Sequence, residues 1–311
     1  MIGRYTRPEM RDIWTEERKL EIWLEIELLA AEALCGEGLV PKKHLRQMKD
    51  NASFNIKRCR ELERTLNHDV IAFTTNVGEN IGKPASRWLH FGLTSSDIID
   101  TAFAVQMNES LKVLITDVKR LRQVIATKAR KYKFTPMIGR SHGINAEPTT
   151  FGLKMALMYD EFGRALERLE TLKPRIAIGK LSGAVGTNAH LSPKVELFVC
   201  RKLGLKPAPI ATQVVQRDIH AELMTTVALV GASIERWPQN FGTFSAPKCS
   251  RPRSSLPRAK KARAPCRISV TPSPASASPA WPACCEAMPS PRSRMSLFGT
   301  SATSATAPSS E

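Results

Sequence analysis

Ser96-Asp-Ile-Ile-Asp-Thr-Ala-Phe-Ala-Val-Gln-Met-Asn-Glu-Ser-Leu-Lys-Val-Leu-Ile-Thr-Asp-Val-Lys-Arg-Leu-Arg-Gln-Val-Ile-Ala-Thr-Lys-Ala-Arg-Lys-Tyr-Lys133 contains neither glycine nor proline. Ile99, Phe103, Met107, Leu111, Leu114, Val118, Leu121 and Ile125 recur through it every three to four residues, the period of a helix with one apolar face. At 1.5 Å per residue the stretch predicts a rod of roughly 55 Å. A rod of that length buries its stripe only against parallel neighbours, so a bundle or an oligomer is expected rather than a compact α/β domain. Outward from it the same period returns. Residues Glu9 to Cys35 carry it at Ile13, Leu20, Trp23, Leu24, Leu28, Ala31 and Leu34, with Pro8 as the opening signal and Gly36 as the closing one. Further helices are predicted from about Thr150 to Leu172 and from about Gln216 to Trp237. Strand signals are sparse and no repeat is evident. The fold class expected is all-α, a long-helix bundle.

Composition changes near residue 238. Residues 1–238 hold 36 Lys+Arg against 27 Asp+Glu, whereas 239–311 hold 10 against 2, with 11 of the 21 prolines and 4 of the 7 cysteines. The second part has no apolar period and is expected to be a disordered basic tail, because it cannot bury enough surface to offset its ordering entropy. Three regions follow: an N-terminal helical domain over 1–95, an incomplete central bundle over 96–238, and a Pro/Ser/Arg-rich, non-native tail over 239–311. No apolar run approaches the roughly 18 residues of a membrane span, and Met1-Ile2-Gly3-Arg4-Tyr5 lacks the pattern of a signal peptide, so a cytoplasmic protein is expected. The cysteines form no C-x-x-C pair and stand at no metal-ligand spacing with histidine, so free thiols and no metal are expected.

The polar connections between helices hold the candidate chemistry. Arg4-Tyr5 offers a guanidinium beside a phenol, able to grip a phosphate, or is simply a solvated terminus. Asn67-His68-Asp69 sets an imidazole that titrates near neutrality between two side chains able to orient it, and a structural histidine is the plainer reading. Thr94-Ser95-Ser96-Asp97 precedes the longest rod, where Thr or Ser caps a helix and exposed amides hold anions. Gly139-Arg140-Ser141-His142-Gly143 places His142 between glycines that let a ligand approach the backbone. Lys180-Leu-Ser-Gly-Ala-Val-Gly-Thr187 is a glycine-rich turn, and Thr212-Gln213 through Arg217-Asp218 is a polar stretch opening the next helix. Each taken alone is also read as a mere turn.

Taken together, in this order, these motifs resemble the adenylosuccinate lyase family of the fumarase/aspartase superfamily, over about residues 1–238. Thr-Ser-Ser-Asp and Gly-Arg-x-His are shared across the superfamily, and Arg4-Tyr5 with Asn67-His68-Asp69 narrow it to the purine enzyme. The resemblance implies β-elimination of fumarate from adenylosuccinate, giving AMP, and from the succinyl-aminoimidazole carboxamide ribotide. It implies no cofactor, and a homotetramer whose sites are built from several subunits. A base removes a proton beside a carboxylate, aimed donors hold the dianionic intermediate, and an acid protonates the departing nitrogen. On the resemblance His142 is that acid and His68 assists it near the phosphate. Arg4 and Tyr5 contact the nucleotide, and Asn67 and Asp69 bind the substrate. Thr94 and Ser95 hold the succinyl carboxylates, and Gln213 hydrogen-bonds the substrate. Ser141 stands where the family usually has Thr, and Asn145 where it usually has His.

The family's base is a serine in a loop reading Gly-Ser-Ser-x-Met-Pro-x-Lys-x-Asn, which this sequence lacks. At about the expected distance stands Cys266-Arg-Ile-Ser-Val-Thr-Pro272, which codons for Met-Pro-His-Lys-Arg-Asn-Pro yield when read one base late. Gly299-Thr-Ser-Ala-Thr-Ser-Ala-Thr-Ala307 relates in the same frame to the family's Trp-His-Glu-Arg-Asp-Ile-Ser-His-Ser. A frameshift that truncates the bundle and removes activity is therefore expected. Three rivals stand beside this reading: a nucleic-acid binder using the basic tail, a helical scaffold without catalysis, and another lyase of the superfamily such as an argininosuccinate lyase or a fumarase. Beyond Phe244 the tail has only Trp281 and Phe298 for stacking, too few for a nucleic-acid platform, so no nucleic acid and no membrane are expected as partners.

Overall fold

The computed structural model describes residues 3–142 and 144–245. The expected tail disorder and the proposed frameshift segments lie outside those residues.

The predicted first helix is interrupted. Pro8–Arg11 forms one turn, α1, and a 3-10 turn Asp12–Trp14 follows before α2, Glu16–Gly36, begins. The break falls at Thr15, whose extended backbone and side chain accept the Arg18 amide as an N-cap. A polar residue at that position outcompetes continuation of the apolar stripe. Four shorter helices were not singled out by the period. Three of them are α3 (Lys42–Asn51), which packs on α2, α4 (Ile56–Leu66), which packs on α5, and α5 (Asp69–Ile81), which meets α2 where Trp23 stands edge-on to Phe73 at 5.5 Å.

The long helix forms as expected. It is α6, Ser95–Lys131, of 37 residues, with Met107, Leu111, Val118 and Ile125 buried and Ile99, Phe103 and Leu121 packed against the core. Its first half departs from a single stripe: Asp97, Asp100, Thr101, Gln106, Asn108 and Ser110 are also buried. Several elements enclose this half, and some of these polar groups pair across them. Trp14 Nε1 donates to Ser110 Oγ at 2.9 Å, and Gln106 Nε2 donates to the Ile13 carbonyl at 2.7 Å.

After α6 the chain forms an antiparallel hairpin that the sparse strand signals did not reveal, β1 (Pro136–Ser141) with β2 (Ile144–Thr150). The ladder slips between Ile138 and Arg140, which is a bulge. Then α7, Phe151–Ile176, runs back along α6 from an N-cap at Thr150. Strand β3 (Ile178–Gly179) pairs in parallel with β4 (Lys206–Pro207), and between them α8, Pro193–Lys202, packs on α2. The last described helix, α9 (Asp218–Ser245), lies on α7. Arg236 and Trp237 of α9 both hold Glu161 of α7, the indole at 2.9 Å. No described helix is long and apolar enough to cross a membrane.

Candidate functional site

The first two turns of α6 gather three distant segments. Asn67 ends α4 in the left-handed region, at φ 52°, a conformation asparagine tolerates, and its amide donates to the Glu63 carbonyl at 2.8 Å. His68 then caps α5. Its Nδ1 accepts from the Ile71 amide at 3.4 Å, which leaves Nε2 facing Ser95 Oγ at 3.3 Å. Asp69 Oδ1 accepts from the Val70 amide at 2.8 Å and lies 3.6 Å from His68 Nδ1. The structural and functional readings of this corner therefore coincide: capping fixes the ring that meets Ser95.

Buried carboxylates on α6 hold the other segments. Asp97 Oδ2 accepts the Thr94 amide at 2.9 Å, while its Oδ1 accepts Lys180 Nζ at 2.6 Å and the Gly183 amide at 3.3 Å. One turn on, Thr101 Oγ1 bonds both the amide and the carbonyl of Lys180, each at 2.9 Å. Asp100 accepts the Val215 amide at 2.8 Å and Arg217 at 2.9 Å, which fixes the stretch carrying the exposed Gln213. The two captured segments also touch each other. Gly186, at φ 78°, lies so close to residue 211 that a Cβ there would stand 1.9 Å from the Ala211 carbonyl oxygen. Only glycine satisfies both that backbone conformation and that approach.

Two titrating groups border this centre. Burial pushes the Glu196 carboxyl above the usual carboxylate range, and Asp97 adds to the shift, against the Leu181 amide and Lys180. Burial also lowers His220, helped by Arg217 and opposed by Asp100 and Asp218. Its ring packs on Phe103 at 5.3 Å. The N-terminal end of α6, with aimed amides, hydroxyls and the His68 imidazole, is suited to hold an anion and to move a proton beside it.

The remaining candidates lie elsewhere in the chain. Arg7 pairs with Asp117 at 2.7 Å, so the 3-10 turn Gly3–Tyr5 sits along the middle of α6, about 33 Å of helix from Ser95. There the Arg4 guanidinium stacks 4.6 Å from the Tyr5 ring centre, and both side chains are exposed. His142 is exposed, at φ 55°, at the tip of β1–β2. The base of that hairpin is pinned to the other end of α6 by the Phe151 and Gly152 amides, which donate to the Thr135 and Tyr132 carbonyls. Six residues of β1 span about 20 Å, so within one chain His142 stays roughly 30 Å or more from His68. Beside the hairpin base lies a cavity of about 590 Å³ whose lining includes Arg140, Lys154, Arg236 and Trp237. Among the described residues no three His, Cys, Asp or Glu side chains gather as metal ligands.

Asp100, Thr101 and Glu196 were not among the sequence candidates, and Lys180 entered only as the first residue of the glycine-rich turn. The available signal was charge on a buried face: Asp97 and Asp100 lie three residues apart on a helix whose neighbouring positions are apolar.

Comparison with known proteins agrees with this architecture. The family described as Lyase matches residues 3–261. The solved structure of a fumarate lyase from Mesorhizobium sp. BNC1 superposes with a TM-score of 0.72 at 28% identity, covering 78% of this chain and 59% of that one. A 3-carboxy-cis,cis-muconate lactonizing enzyme from Pseudomonas putida gives 0.71 at 27%, covering 76% and 56%. The chain belongs to this lyase family, the helical fumarase/aspartase class. Its curated relatives include the adenylosuccinate lyases of Bacillus subtilis (strain 168) and Staphylococcus saprophyticus, 50% and 45% identical over 237 residues. Those matches cover 76% of this chain and 55% of each relative, so the chain spans about half the length of the curated relatives it matches.

Proposed function

We propose that the chain derives from an adenylosuccinate lyase of purine biosynthesis, which eliminates fumarate from adenylosuccinate and from the succinyl-aminoimidazole carboxamide ribotide. The observation that carries the reading is the His68 Nε2 to Ser95 Oγ approach of 3.3 Å at the amide end of α6, with Gln213 held nearby through Asp100. In this reading Thr94 and Ser95 hold the succinyl carboxylates, and His68 assists near the phosphate with Asn67 and Asp69 around it. Gln213 binds the substrate, Arg4 and Tyr5 contact the nucleotide, and His142 is the acid that protonates the departing nitrogen. The separation of His142 and Arg4-Tyr5 from His68 along α6 supports a site completed by other copies, as in a homotetramer, and a cytoplasmic location belongs to the same proposal. The division into 1–95, 96–238 and 239–311 belongs to the same proposal.

The serine loop that supplies the base is absent from the sequence; the same proposal therefore has this 311-residue chain inactive and, on the segments 266–272 and 299–307, frameshifted after about residue 238. Two measurements test these points separately. Fumarate release followed by absorbance should give no turnover, and robust turnover by the purified chain refutes the inactivity. Independent reads of the coding DNA around codons 238–242 should reveal a lost or gained base, and an uninterrupted frame refutes the shift.

A further inference from the structure

Lys180 and Asp97 have no solvent exposure at all. Enclosing two charges costs more in lost hydration than packing two apolar side chains of the same volume, so such a pair is a poor device for stability alone. What an ion pair supplies and an apolar pair does not is direction. Lys180 Nζ donates to Asp97 Oδ1 at 2.6 Å and to the Gly183 carbonyl at 2.8 Å, while Thr101 holds its main chain on both sides. Glu196 accepts the next amide, Leu181, at 2.8 Å, and the Asn188 amide closes the turn on the Ser182 carbonyl at 3.0 Å. The turn so fixed carries Ser182, whose hydroxyl is buried with no partner among the described residues, and Gly186, which abuts residue 211. Asp97 meanwhile holds the amide of Thr94.

We propose that Lys180 is a positioning residue for the Thr94–Ser95 end of α6: its ammonium, held between Asp97 and the Gly183 carbonyl, sets the spacing between the first turn of α6 and the 181–187 turn, and through Gly186 the placement of Gln213. This rests on the reading of Thr94 and Ser95 as the carboxylate site. Lys180 does not touch substrate. It acts through Asp97 and the turn.

The test uses the intact chain and fumarate as the probe, with affinity measured by calorimetry at constant pH and fold followed by circular dichroism. Lys180→Met keeps the side-chain length and removes the directed bonds, and it should weaken fumarate binding about tenfold, the scale at which misplacing aimed groups acts. Thr101→Val leaves the ion pair and frees the Lys180 main chain, and should weaken binding in the same direction by less. Phe162→Leu, in the buried core of α7 at the level of Arg122, lowers stability without moving the turn and should leave affinity unchanged, which a merely structural role of Lys180 would not distinguish. Should Lys180→Met fail to fold, Thr101→Val decides. If the variants that fold bind fumarate within about twofold of the unaltered chain while Thr94→Val loses it, the positioning role is overturned and the site reading stands. If the unaltered chain does not bind fumarate, or Thr94→Val binds equally well, the site reading falls and the positioning role with it.

Discussion

The two ends of α6 are built on opposite plans. At its start two carboxylates and a threonine are enclosed and bonded to segments 79 to 117 residues away in sequence, among them the buried Lys180, as in the Lys180–Asp97 and Val215–Asp100 contacts. At its finish the chain turns into a hairpin whose side chains face outward, Phe134 at 81% exposure and Ile144 at 68%. The first end is fixed by directional bonds in a dry environment, where their loss leaves a charge unpaired. The second is a surface with a mainly apolar cavity beside it, into whose lining Arg140, Lys154, Arg236 and Asp160 also enter. One helix therefore holds the two groups of candidate residues apart within a single chain, and its length is the reason.

The sharpest way to break this contrast is at Gly186. Substitution by valine places a branched Cβ against the Ala211 carbonyl at a left-handed φ, and should cost more than about 4 kcal/mol, read as loss of the cooperative urea transition. A variant of near-normal stability would show that the two captured segments do not meet there. Next in size, Asp97→Ala strands a buried ammonium and should cost about 3–5 kcal/mol in denaturant unfolding, whereas apolar replacement of both partners, Asp97→Leu with Lys180→Met, should recover much of the loss.

The ends should also titrate in opposite senses. Burial holds Glu196 above its ordinary range, so its contribution is full below the ordinary carboxylate pKa and is lost as pH rises through the raised value. Burial tends to raise Glu161 as well, but hydrogen bonds from Ser233, Trp237 and Arg236 prevail and its pKa is lowered. Its contribution is present above the ordinary value and is lost as pH falls through the lowered one. Glu196→Gln should flatten the neutral side of the stability profile, and Glu161→Gln the acid side. The same slope surviving both substitutions would refute the assignment. The smallest effect is expected at the hairpin tip: Ile144→Ser should change unfolding stability of the isolated chain by less than about 0.5 kcal/mol, because the side chain is already in water.

Much of this was legible locally. The glycine- and proline-free run from Ser96 fixed the existence and length of α6 to within two residues at each end, because a helix is made of bonds between near neighbours. Thr94-Ser95 and Asn67-His68-Asp69 were recognisable as polar corners, and they are helix boundaries in the fold. The hairpin at 136–150 was not legible as strands, since its pairing skips a residue at the bulge and neither face is buried as a clean alternation. The break at Thr15 was masked by an apolar period that continues across it.

By itself, then, the sequence determined the rods, their apolar faces and the polar motifs at their ends, all of which depend on residues a few positions apart. Only the tertiary structure decided that Lys180 would lie beside Asp97, that Arg217 would reach Asp100, and that His68 and His142 would stand at opposite ends of one helix. Those relations join residues many positions apart, and they depend on how the rods pack and on which polar groups, once deprived of water, must find one another.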